Sequence, residues 1–324
     1  MSRGRILFLH SNDAPFVRAD REILRTEFDV SELDCSKGSY MPRILKDLRR
    51  SDLSFSWFAL GHAARATFLG KLLARPSVVV AGGWDVVSMP EIAYGAVQSA
   101  RGTARAKFVL RTADVLLTFS DWSRERIRSL SRREATLLYL GIDAERFRPI
   151  EPKEDFVVSV GNITRENLAR KGMETFVRAA TFLPRISFVL AGAHVDDAID
   201  SLRRIATPNV SFPGRLSDDA LRDLLGRARA YVQTSYTEGF GLAVAEAMAA
   251  GCVPVVTRNG AIPEVVGETG VFVPYGDPRV TADAIGQALG SRLGAAARDR
   301  VRNRFSLAQR SERLLAIVSN ALDS

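Results

Sequence analysis

A chain of 324 residues exceeds what one hydrophobic core usually organises and suits two domains. Its composition, 46% hydrophobic and 25% charged, excludes a disordered or fibrous chain, and no stretch approaches the ~20 uncharged residues of a membrane span. The net charge of +8 is lopsided: residues 1–150 hold 24 Lys and Arg against 17 acids, and residues 151–324 hold 21 against 20. Such asymmetry suits an anionic partner on the first half, whether membrane surface, lipid phosphate, acidic glycan or nucleic acid, or it is plain surface arginine.

The chain starts with "ILFL" after Arg5, too short a run for the core of a signal peptide. "WFALGHAARATFLGKLL" is the nearest approach to a span, and His62, Arg65 and Lys71 interrupt it. Two distant cysteines, Cys35 and Cys252, match no metal spacing and fit a reduced, cytoplasmic compartment.

In chain order, the first half offers strands at 5–10, 28–34, 53–60, 77–82, 115–120 and 136–140. Helical patterns at 16–27, 41–50, 62–74, 91–111 and 121–131 separate them. "RFRPIEPKED" (146–155), with two prolines and mixed charge, reads as a joint. The second half repeats the plan, with strands at 155–161, 187–192, 210–214, 230–235, 253–257 and 270–274. Near-continuous Val, Ile, Leu and Phe runs alternating with helices predict buried parallel strands and doubly wound sheets. The domains expected are 1–145, 146–306 and a final helix within 307–324. In such α/β sheets, ligands lie beyond the carboxyl ends of the strands.

Three turns there carry chemistry. "TEGFGLAVAEAMAAG" (237–251) holds Glu238 and Glu246, eight residues apart. Were all eight steps helical, the two would differ by about 80° around the axis. With Glu238 in the loop and the helix starting near Gly241, they instead flank a helix N-terminus, which suits a phosphate. Gly239 and Gly241 let a ligand approach the backbone. A ligand with a diphosphate in its middle and hydroxyls at both ends would fit. The second turn, "GNITRENLARKGMETFVRAA" (161–180), is expected as a loop from Asn162 to Arg170, with Lys171-Gly172 leading into a helix. Its Arg165, Arg170 and Lys171 could hold a diphosphate as charge develops on it, or simply line a basic surface loop. The third, "TRNGAIPEVVG" (257–267), is an Asn259-Gly260 turn before a short helix.

"TEGFGLAVAEAMAAG" resembles the E-x7-E signature of retaining glycosyltransferases of family 4, the glycosyl transferases group 1. "VSVGNITRENLARKGMETFVRAA" resembles their diphosphate loop, and residues 210–278 resemble their continuous core. The resemblance covers about 136–324 well; the first 135 residues match in outline, chiefly in "WFALGHA" and "VVVAGGWDV". It implies a GT-B fold of two Rossmann-like domains facing a central cleft, with the last helix packing back on the first domain. It implies transfer of a sugar, hexose by type, from a nucleotide diphosphate sugar to an acceptor hydroxyl, with retention and without metal, in polysaccharide or glycolipid synthesis. The alternative is a donor-binding subunit that does not itself transfer.

Residue by residue, the resemblance places Glu238 on the sugar hydroxyls and the backbone of Gly239, Phe240, Gly241 and Leu242 on sugar and phosphate. Glu246 falls on ribose, Lys171 on the diphosphate, Leu216 against the nucleobase and Asp85 beside the reacting sugar. The family's arginine after the glycine is replaced by Asn162, so Arg165 is expected to substitute, with Arg170 its competitor. The family's first glycine-rich loop reads "HSNDAPFVRAD" (10–20) here, leaving Asp13, Arg18 and Asp20 as acceptor-side candidates.

No D-x-D occurs, and His10, His62 and His194 lack zinc spacing; His62 is expected to pack near a helix start. The absence of G-x-G-x-x-G after a first strand weighs against a dinucleotide oxidoreductase, and nothing names a nucleic-acid-reading element. "RGTARAKFVLRTADVLL" (101–117) and "RERIRSLSRR" (124–133) form a basic amphipathic surface that could lie peripherally on the inner face of an anionic membrane, or remain solvated.

Overall fold

The computed structural model describes residues 4–36 and 40–323. The chain divides into two compact units, Met1–Gly141 with Leu307–Ser324, and Ile142–Ser306.

The first unit is built on β1 (Arg5–His10), β2 (Asp29–Asp34), β3 (Leu53–Trp57), β4 (Ser77–Val80), β5 (Val115–Thr118) and β6 (Thr136–Leu137). All pair in parallel, in the order β2-β1-β3-β4-β5-β6. All of β3 and β4 is buried, serines included, as expected for strands covered on both faces. The helices are α1 (Pro15–Arg25), α2 (Met41–Leu48), α3 (Gly61–Leu73), α4 (Ala100–Thr112) and α5 (Asp121–Ser131).

Several strands stop before their apolar runs do. β3 ends at Trp57 because Phe58 turns to φ 70°. β5 ends at Thr118 because Ser120 caps α5, its hydroxyl accepting from the Ser123 N–H. The segment 91–111 is not one helix. Pro90 and Gly95 (φ 114°) break it into short 3-10 turns, and α4 begins only after Ser99, which caps it.

The last helix, α14 (Leu307–Leu322), belongs to the first unit and packs on α1. Its buried Arg310 donates to Asp20 at 2.6 and 2.7 Å and to the carbonyls of Leu138 and Tyr139 at 2.8 and 2.7 Å. Asp20 is therefore a fully buried structural partner, not an acceptor-side group.

The second unit contains β7 (Glu154–Val160), β8 (Ser187–Ala191), β9 (Val210–Gly214), β10 (Ala228–Gln233), β11 (Val253–Thr257) and β12 (Val271–Val273). These too are parallel, ordered β12-β11-β10-β7-β8-β9. Its helices are α6 (Arg165–Arg170), α7 (Met173–Ala179), α8 (Ala198–Ile205), α9 (Asp218–Arg227), α10 (Leu242–Ala249), α11 (Ile262–Val266), α12 (Pro278–Leu289) and α13 (Leu293–Arg304). The segment expected as a loop from Asn162 to Arg170 thus contains a short helix, which Thr164 caps. Strand order reverses between β7 and β10, so the connections leaving those two strands diverge and open a crevice at their carboxyl ends.

Candidate active site

Both signature turns leave the sheet at this reversal: one follows β7, the other β10. After β7, Asn167 donates from Nδ2 to the Asn162 carbonyl at 2.8 Å, and its Oδ1 accepts from Arg170 Nε and Nη2 at 3.1 and 2.7 Å. That fork fixes the Arg170 guanidinium. Gly172 sits at φ 64°, and a Cβ there would overlap the Thr234 carbonyl, so only glycine lets the chain pass so close to β10.

Glu238 is the meeting point. Its Oε1 accepts from Lys171 Nζ at 3.0 Å, Gln233 Nε2 at 2.9 Å, Arg170 Nη1 at 3.3 Å and Ser235 Oγ at 3.3 Å. Burial alone would push its carboxyl up; Lys171 and Arg170 reverse this and hold it below the usual range. Burial pulls the Lys171 ammonium down from its ordinary value, against the opposing charge of Glu238. Lys171 and Arg170 thus converge on Glu238, and the exposed carboxylate of Glu166 also reaches Arg170 at 3.7 Å.

The third turn buttresses it. The Ala261 N–H donates to the Glu238 carbonyl at 2.9 Å, and Thr257 Oγ1 and Asn259 Nδ2 donate to the Ser235 carbonyl at 2.5 and 3.3 Å. Gly260, at φ 64°, lies so close to the Glu238 backbone that a Cβ would overlap its carbonyl oxygen. The Tyr236 N–H donates to the Arg170 carbonyl at 2.8 Å, tying the two loops together.

From Glu238 the chain runs through Gly239, Phe240 and Gly241 (φ 95°) into α10, whose N-terminus at Leu242 has no side-chain cap. The Phe240 ring is buried edge-on against Phe305, 5.4 Å between centroids, which anchors the turn. Glu246 lies one turn into α10, half-buried and with no hydrogen-bond partner among the described residues. Burial, then the charge of Asp218, push its carboxyl up to about 7. Two carboxylates eight residues apart are thus driven in opposite directions. Such a perturbed acid beside a crevice is a candidate functional group. The buried Tyr231 hydroxyl is raised by burial first and then by the charges of both glutamates, and it donates to Gln233 at 2.7 Å. Leu216 is half-buried in the turn that follows β9.

Other expected residues lie elsewhere. Arg165 is 75% exposed and forks onto Asp197, so Arg170 is the arginine beside Lys171. Arg165 instead borders, with Arg178 and Tyr275, a separate cavity of about 350 Å³. Asn162 is exposed and contributes its carbonyl. Asp85 is fully buried in the first unit and accepts from the backbone N–H groups of Ala59, Gly83 and Gly82 at 2.8, 2.9 and 3.3 Å, which makes it a loop brace. Asp13 is held by Arg18 and Arg21. His10, Asp13 and Glu32 lie close enough to ligate a cation, but the Arg21 guanidinium already occupies both carboxylates. His62 is buried in the first turn of α3, its Nε2–H donating to the Trp57 carbonyl at 2.8 Å; burial lowers it to about 4. Gln233, Ser235 and Asn167 were not picked out from sequence. Gln233 had one signal: a polar side chain inside an otherwise apolar strand.

Residues 154–291 match the family described as glycosyl transferases group 1. Alpha-maltose-1-phosphate synthase of Mycolicibacterium smegmatis is 28% identical over 297 residues, 80% of this chain and 73% of that protein. The lipopolysaccharide core biosynthesis mannosyltransferase LpcC of Rhizobium leguminosarum is 26% identical, covering 68% and 69%. Through residues 154–291 the chain is thus similar to the glycosyl transferases group 1 family. The crystal structure of Anabaena Alr3699/HepE with UDP and glucose superposes with a TM-score of 0.81 at 18% identity, covering 98% of this chain and all of that one. Sucrose-phosphate synthase of Thermosynechococcus elongatus superposes at 0.79 and 19% identity, covering 98% and 99%. The fold of this glycosyltransferase is accordingly GT-B, with two parallel six-stranded sheets.

Proposed function

We propose that this glycosyltransferase moves a hexose from a nucleoside diphosphate sugar to an acceptor hydroxyl, with retention of anomeric configuration and with no metal ion. The observation that carries this reading is the convergence of Lys171 and Arg170 on Glu238 beside the uncapped start of α10. When a donor enters, its diphosphate takes over the two cations and the free N–H groups of α10, and Glu238 turns to the sugar hydroxyls. Glu246 accepts from the ribose hydroxyls, and Leu216 borders the base. The relatives' names support the donor class: one structure was solved with UDP and glucose, and LpcC is a mannosyltransferase of lipopolysaccharide.

In the reaction, the bond from the anomeric carbon to the phosphate oxygen breaks and its electrons leave with the nucleoside diphosphate. The acceptor oxygen bonds to the anomeric carbon on that same face, and its proton passes to the departing phosphate. The charge that develops on the phosphate is met by Lys171, Arg170 and the helix end, which a divalent ion would otherwise meet. Asp85 acts indirectly, bracing the loop at Ala59 and Gly82-Gly83. The two free, buried cysteines and the basic first unit support a cytoplasmic, peripheral location. Among the described residues no helix is long and apolar enough to cross a membrane.

Incubation with UDP-, GDP- and ADP-sugars and a hydroxyl acceptor will release nucleoside diphosphate, with the product's anomeric configuration, read by NMR, matching the donor's. Lys171→Ala lowers kcat/KM by about 10²–10³-fold. Near-normal kcat/KM in Lys171→Ala would overturn the diphosphate assignment.

A further inference from the structure

Four helices of the first unit, α2 to α5, stand side by side on one face of its sheet, as successive right-handed crossovers require. Over residues 41–50, 61–75, 100–112 and 121–133 they carry sixteen Lys and Arg against three acids. The α1 and α14 pair on the unit's other face carries five against three. So the excess is not spread over the surface as decoration; one face holds it. The central helices are the most one-sided. Residues 61–75 and 100–112 hold seven cations and no acid. Arg101, Arg105, Lys107 and Arg111 form no ion pair with another described residue.

The same face exposes large apolar side chains. On α3, Phe68 is 50% and Leu72 68% exposed, beside Lys71. On α4, Arg101, Ala104, Phe108 and Arg111 form one exposed stripe at helical spacing. Met41 opens α2 beside Arg43. Lys71 and Arg75 pair with Asp114 and Asp52, so the unneutralised cations are chiefly those of α4; with the apolar ridge beside them they match a lipid headgroup layer, where apolar groups sink in and cations meet phosphate. A nucleic acid would use the charge but not the apolar ridge.

We propose that the α2–α5 face docks on an anionic lipid surface, with Phe68, Leu72 and Phe108 entering it and the cations of α4 holding it there. This deepens the peripheral location proposed above and rests on that reading, while owing nothing to the donor site. Sequence pointed to 101–117 and 124–133; the structure shifts the weight from α5, where Asp121, Glu125 and Glu134 pair with Arg124 and Arg128, to the cations of α4 and the apolar side chains of α3.

The test is flotation of the full chain with phosphatidylcholine vesicles, with and without about one-third phosphatidylglycerol. The protein will float with the anionic vesicles only, and raised salt will release it. Arg101→Gln with Arg111→Gln, and separately Phe68→Ser with Leu72→Ser and Phe108→Ser, will each lower vesicle partition by about tenfold or more, with thermal melting and sugar transfer to a soluble acceptor, read as nucleoside diphosphate released, unchanged. Equal flotation on both vesicles, or none, overturns the proposal. So does retention of the protein on a single-stranded RNA homopolymer with no vesicle binding. Those outcomes leave the donor-site reading standing, and a failure of Lys171→Ala to lower turnover leaves this one standing.

Discussion

The two sheets share a plan and differ in what they place at the point where strand order reverses. In the second unit that point, between β7 and β10, holds Lys171 and Arg170 on Glu238, with a second acid, Glu246, whose carboxylate has no hydrogen-bond partner among the described residues. In the first unit it lies between β1 and β3, and its rings are packed together: Phe16 to Trp57 at 4.9 Å, Trp57 to Phe58 at 5.5 Å and Phe16 to Phe58 at 6.2 Å. The polar groups nearby already bond one another, His10 with Glu32 at 2.9 Å, and Arg21 with Glu32 and Asp13. One reversal gathers two cations on a largely buried acid beside a helix start, and the other packs rings beside an exposed carboxylate cluster. Topology sets where a ligand can sit, and the loops decide its chemistry.

Removing the cation that each unit depends on breaks this contrast most sharply. Arg310→Ala leaves Asp20 charged and buried, 0% exposed, with the Leu138 and Tyr139 carbonyls unpaired as well. A cost of about 3–5 kcal/mol is expected, read in urea unfolding as an early transition of the first unit. Nucleotide binding at the second unit, followed by calorimetry, stays within about twofold of wild type, because independent sites do not couple. A stability loss below about 1 kcal/mol would mean the pair is solvated and the fold of the first unit does not rest on it.

Glu246→Gln sharpens the contrast by a smaller effect with a pH signature. The folded protein holds the Glu246 proton more tightly than the unfolded chain, about 7 against 4.5. Its stabilising contribution is therefore complete below pH 4.5 and is lost as pH rises through 7; over that range it amounts to about 3 kcal/mol at most. The glutamine variant will lack this slope and be the more stable protein at pH 8. Donor affinity runs the other way. The ionised carboxylate accepts the ribose hydroxyls, so wild-type nucleotide affinity will fall about tenfold as pH drops from about 7.5 to 5.5, and that of Glu246→Gln will not. Parallel pH profiles for the two proteins would remove Glu246 from the site.

Twelve strands were legible because buried parallel strands are written as unbroken apolar runs; the differences lie at their ends, several read too long and β7 and β10 begun late. Ends are set by single backbone turns, such as Phe58 at φ 70°, which no periodicity records. The segment 91–111 misled because Pro90 and Gly95 sit among residues that otherwise favour helix. The acids of the site were legible through their glycine-rich, alanine-rich setting. Asp20 was not, since its partner Arg310 lies 290 residues away. Nor was the choice between two arginines. That choice is made by α6, across which residues 165 and 170 differ by roughly 140° around the axis.

That angle gives the smallest expected effect. Arg165 faces Asp197 in solvent, and Arg170 faces Glu238 with its guanidinium held by Asn167. Arg165→Ala will change kcat/KM by less than about threefold, since an exposed pair contributes little. Arg170→Ala will lower it by about 10²-fold, having removed a cation from the developing charge. The ratio of these two effects reads the geometry of one helical turn directly. Comparable losses from both would mean that α6 unwinds or rotates when donor binds, because Arg165 can reach the diphosphate only by releasing Asp197. In that case Asp197→Asn would raise activity by freeing Arg165, whereas with α6 as it stands that substitution leaves turnover unchanged.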